Sequence, residues 1–91
     1  ATAVALAQVL SHLAQSHQVI VVTHLAQVAV VGDRHYLVSK VGDAVPETTI
    51  EEISGDERVE EVARMLSGDQ TQTSLDHARE MLAAAASQKF R

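Results

Sequence analysis

His17-Gln18-Val19-Ile20-Val21-Val22-Thr23-His24-Leu25-Ala26-Gln27-Val28-Ala29, residues 17–29, holds the densest run of β-branched side chains in the protein. Residues 18–23 are apolar without alternation and too few for a buried helix. That pattern predicts a strand covered on both faces, as in the middle of a parallel sheet. Thr23-His24 is a polar break, and residues 25–31 are expected to form a short helix closed by Gly32-Asp33, against the mild resistance of its valines. Upstream, residues 2–16 read as a helix with Ala3, Leu6, Ala7, Leu10, Leu13 and Ala14 along one face and Val4 and Val9 off that stripe.

Downstream, residues 34–41 alternate, with Tyr36, Val38 and Lys40 opposite His35, Leu37 and Ser39. Residues 48–53 alternate again, Ile50 out of phase with Ile53, across the turn-forming stretch Gly42-Asp43-Ala44-Val45-Pro46. This predicts an antiparallel hairpin. Ser54-Gly55-Asp56-Glu57 has the form of a capping box ahead of a helix carrying Val59, Val62, Ala63 and Leu66 on one face and ending at Ser67-Gly68-Asp69. Thr73-Ser74-Leu75-Asp76 offers the next cap. The helix it opens runs to about Ser87, with Leu75, Ala78, Leu82 and Ala85 inward. The expected fold is α/β in the order α-β-α-β-β-α-α, one unit over residues 1–91, with one buried parallel-type strand and then a C-terminal hairpin plus two helices.

The chain has 91 residues, 46% of them apolar, which suffices for one small core. That core must be aliphatic, since Tyr36 and Phe90 are the only aromatics. No cysteine is present, which excludes a disulfide framework, a thiolate metal site and a cysteine nucleophile. Seven basic and twelve acidic residues give a net charge of −5, a poor match to sequence-independent phosphate-backbone binding. No apolar run reaches the roughly 18–20 residues that span a bilayer, and no basic flank of a signal peptide opens the chain. The sequence begins directly in an apolar-periodic stretch, so either the first helix packs well at the terminus or the chain is cut from something larger.

Among the candidates for chemistry, His12, His17, His24, His35 and His77 show no i, i+4 pair and no carboxylate in a recognised metal-ligand pattern, so no metal site is expected. Glu57, Glu60 and Glu61 read as a solvated helix face. His24 stands apart by position, directly after the predicted buried strand and before a helix, where ligands of open α/β sheets bind. A neutral imidazole there can donate one hydrogen bond and accept another. The alternative is a helix-capping or partly buried histidine. The four glycines are isolated and no Gly-Lys-Ser/Thr occurs, so the chain itself supplies no phosphate-cradling loop.

The segment 17–29 resembles the switch-histidine region of ABC-type ATPase heads, in which an alanine-rich helix leads into an apolar strand ending Thr-His, then Leu-Pro-Gln-Val-Ala. Gly32-Asp33-Arg34-His35-Tyr36-Leu37-Val38 looks like the Ala-Asp-x-His-x-x-Val that opens the next strand. Glu57-Arg58-Val59-Glu60-Glu61-Val62-Ala63-Arg64-Met65-Leu66-Ser67-Gly68, with the closing helix from Ser74 to Leu82, narrows the resemblance to the RecN group of bacterial DNA-repair ATPases, relatives of the SMC proteins. The likeness covers nearly the whole chain in order. It departs at Ala26, where proline is usual, and residues 42–50 have no specific counterpart.

The resemblance implies a C-terminal part of a P-loop NTPase head, with switch segment 17–29 and a helical pair over 55–87. In it, His24 would be the catalytic and nucleotide-contacting residue, touching the ATP γ-phosphate when two heads close during double-strand-break repair. The phosphate-binding loop, signature motif and acidic Mg²⁺ strand of that family are absent from these 91 residues. ATP and Mg²⁺ are therefore expected only in the full-length protein, and no ATPase activity in this segment alone. The implied partners are the remainder of the head, a second head in a homodimer, and DNA through the full-length protein but not directly through this acidic segment. The implied location is cytoplasmic, at the nucleoid, without membrane attachment, and the isolated segment is expected to self-associate. A small non-catalytic helical and strand-containing protein-interaction domain is the alternative.

Overall fold

The computed structural model describes residues 2–45 and 47–88. The elements are α1 (Thr2–Leu13), α2 (Ala26–Ala29), β1 (His35–Val41), β2 (Glu47–Ile53), α3 (Gly55–Ser67) and α4 (Gln72–Gln88). β1 and β2 pair antiparallel in a two-stranded sheet, with His35 opposite Ile53, Val38 opposite Ile50 and Val41 opposite Glu47. The alternation in the sequence fixes this register. His35, Leu37 and Ser39 turn toward the body, while Tyr36, Val38 and Lys40 face water. Ile53 is 4% exposed and Ile50 is 70% exposed, the opposite phases their spacing requires.

The packing centre lies between α2, α3 and α4. Ala26, Val30, Val62, Ala63, Ala78 and Ala85 form it, with Val59, Met65, Leu66, Leu75, Met81 and Leu82 packed around them. Alanines dominate, so the helices approach closely while little apolar area is removed from water. Val62, with no exposed surface, is the largest fully buried side chain among the described residues. Gly68 ends α3 in the left-handed conformation at φ +78°, a position glycine occupies without a Cβ penalty, and its amide donates to the Arg64 carbonyl. The α3–α4 turn is tied by the Asp69 carboxylate, which accepts from the Ser67 and Ser74 hydroxyls and the Thr71 amide. These bonds, that from Ser67 foremost, hold Asp69 below the ordinary carboxylate range.

Four sequence expectations are corrected. Residues 18–23 form no strand, so the described order is α-α-β-β-α-α with one antiparallel pair, not a parallel-type sheet. A strand exists only as a ladder with a neighbour, and none lies beside this run among the described residues. Ile20 and Val22, expected in the interior, are 86% and 97% exposed. Second, α1 stops at Leu13 and unwinds through a turn to Ser16, and of its expected inward face Leu6 and Leu13 remain exposed. It packs on α2, a single helical turn that can cover only a narrow strip around Ala7.

Third, Ser54 is the N-cap residue of α3 but makes no side-chain capping bond. Gly55 enters the helix at φ +56°, which turns the chain out of the arrangement a reciprocal capping box needs. Fourth, the cap of α4 is Thr71, whose hydroxyl accepts from the Ser74 amide at 3.3 Å, two residues ahead of the expected position. Pro46 of the expected turn, and Lys89, Phe90 and Arg91, lie outside the described residues.

Candidate functional site

His24 sits between the irregular segment 18–23 and α2, with its side chain exposed. On its N-terminal side the Thr23 hydroxyl accepts from the Leu25 amide at 3.0 Å, a local turn that brackets His24. Leu25, extended at φ −98° and ψ 118°, leads into α2, whose Ala26 and Val28 are buried. The local sequence explains this arrangement. The Thr23 hydroxyl offers the backbone an alternative to a strand ladder, and Ala26 fits where α2 meets the core.

The far end of α2 is held from α3. Arg58 Nη2 donates to the Ala29 carbonyl at 3.1 Å and to the Gly32 carbonyl at 2.7 Å. These are charge-assisted bonds to half-buried acceptors. Burial pulls the Arg58 guanidinium below its ordinary value, and the Asp33 carboxylate opposes that shift. Beside it His35 is half-buried, and its imidazole is lowered first by burial and then by the Arg58 charge, with Glu61 pulling the other way. Among the described residues His35 Nδ1 and Arg58 Nε are buried without a hydrogen-bond partner.

The five histidines are not brought together. His12 lines an open groove between α1 and α4, beside Ala7, Val30, Met81 and Ala85. His17 shares a 2.8 Å hydrogen bond with the Ser16 hydroxyl. His77 is exposed on α4, and His35 belongs to the Arg58 neighbourhood. No three His, Asp or Glu residues cluster as metal ligands among the described residues, and no described helix is long and apolar enough to cross a membrane. Residue reasoning did not single out Arg58. A signal was present, because a cation in the opening turn of a helix has the wrong sign for the helix dipole and calls for a local acceptor.

No protein-family model matches the chain. Curated relatives do. It is 51% identical to the DNA repair protein RecN of Deinococcus radiodurans over 84 residues, covering 91% of this chain and 15% of that one. The RecN of Streptomyces coelicolor is 45% identical over 85 residues, covering 91% and 15%, and that of Mycobacterium leprae 45% over 89 residues, covering 96% and 15%. The chain belongs to the RecN family. It spans about 15% of the length of these RecN relatives, and the matches fit a C-terminal RecN segment. Because they run over nearly all of the chain, the likeness takes in the Thr23-His24 turn, the hairpin and the α3–α4 pair together, rather than one short motif.

Proposed function

We propose that this chain is the part of a RecN-type DNA-repair ATPase that presents a switch histidine to the terminal phosphate of ATP. The observation that carries this reading is the placement of His24. Its imidazole is open to solvent, bracketed by the Thr23 turn and followed, after Leu25, by a helix whose Ala26 and Val28 are buried. A neutral imidazole so held can donate one hydrogen bond to a phosphoryl oxygen and accept one from water. It suits a single edge of a nucleotide site, and the rest of that site would come from the remainder of the head and from a second head. For Mg²⁺ the described residues gather no ligand set, and in this reading its ligands belong to the remainder of the head. In the whole protein, the nucleotide supplies the bond whose hydrolysis opens the paired heads during DNA break repair at the nucleoid.

The exposed aliphatic run 18–23 fits the same reading. The RecN relatives are more than six times as long as the matched segment, and the remaining chain would cover Ile20 and Val22. In the full-length protein His24→Ala is expected to lower kcat about a hundredfold, the scale of one hydrogen-bond donor to developing charge, while the Kd for ATP moves less than about threefold. Steady-state hydrolysis and equilibrium nucleotide binding together check this. Lost binding with turnover kept would reduce His24 to a ground-state ligand and overturn the reading.

A further inference from the structure

The geometry points to Arg58 as a positioning residue for His24: by holding the carbonyl end of α2, it sets where the other end of that helix presents the imidazole. The inference rests on the reading of His24 above. α2 has four residues, one turn, and so little cooperative stability of its own. Burial of Ala26, Val28 and Val30 decides which face turns inward, but apolar contact is non-directional and leaves sliding and rotation soft.

Directional restraint comes from the two bonds of Arg58 Nη2, to Ala29 O at 3.1 Å and Gly32 O at 2.7 Å. Their anchor is firm, since Arg58 lies one turn before Val62 and Ala63, both fully buried. At the other end the Thr23–Leu25 bond fixes the entry to the helix. His24 therefore lies on a short lever pinned at both ends, and Arg58 ties the far end to α3 by hydrogen bonds. The guanidinium is suited to this task, because one nitrogen offers two protons at fixed angles to two carbonyls. An ammonium in its place keeps the charge and loses the fork.

Arg58→Lys in the full-length protein is expected to lower kcat about tenfold and to move KM less than about twofold. Amide exchange across residues 25–32 should accelerate while α3 and α4 keep their protection. In a His24→Ala background the same substitution should cost nothing further in single-turnover hydrolysis, since the group it positions is gone. A loss that multiplies with that of His24→Ala overturns the inference. So does a loss that circular dichroism traces to unfolded protein, which would make Arg58 a general stabiliser. If His24→Ala keeps full turnover, the reading of His24 falls instead. The exchange measurement then judges the clamp alone, and unchanged protection at 25–32 in Arg58→Lys overturns it.

Discussion

His35 and His24 are the same residue type put to opposite uses. His24 is left in water, where it can meet a ligand, while His35 is half-buried beside Arg58 with its Nδ1 unpaired. Burial first, then the Arg58 charge, favours the neutral imidazole and places the folded-state value below the ordinary one of about 6.5. The unfolded chain thus binds the proton more readily. The contribution of His35 is complete above about pH 6.5 and is lost as pH falls through the lower folded value. Thermal melts between pH 7.5 and 5 should show falling stability toward acid, and His35→Leu should flatten that slope; equal slopes would remove His35 as its source. Of the setting of His24, the Thr-His break ahead of a short helix was legible, but the buried strand expected before it is absent. The role of Arg58 was not, because its acceptors, Ala29 and Gly32, are backbone carbonyls that no side-chain pattern announces.

Elements were legible where their signal is local. The hairpin register follows from alternation, and α3 and α4 from apolar spacing and the left-handed Gly68. Residues 18–23 show the converse: composition records what a backbone prefers, whereas a strand is a relation between two segments. Caps fall between these cases, since the right residue types sit near each helix start but geometry selects among them. Thr71→Ala removes a hydroxyl that caps α4 and is expected to cost about 1 kcal/mol. Ser54→Ala, at the start of α3, removes one that makes no capping bond, and should be nearly neutral. Denaturant titration of both variants checks the contrast, and equal losses would mean that Ser54 does cap in solution.

At the scale of the molecule, the described residues extend over 47 × 33 × 24 Å around a core made largely of alanine and valine. Val4, Leu6, Val9 and Leu13 of α1 join Ile20 and Val22 among the exposed large apolar side chains. So much uncovered aliphatic surface on a small chain favours association. The 91-residue chain alone is expected to sediment above monomer mass at tens of micromolar, and Ile20→Lys with Val22→Lys should shift it toward monomer. A strictly monomeric parent would show that the exposed run needs no cover. The Arg58 clamp also has a consequence in time. Its two bonds join residues 29 and 26 positions apart, whereas the β-hairpin and the α3–α4 pair close nearer neighbours. Local closures come first in folding, and distant ones wait for them. The histidine's own stretch is therefore expected to take its final shape only after Arg58, which follows it off the ribosome, is held in place by α3.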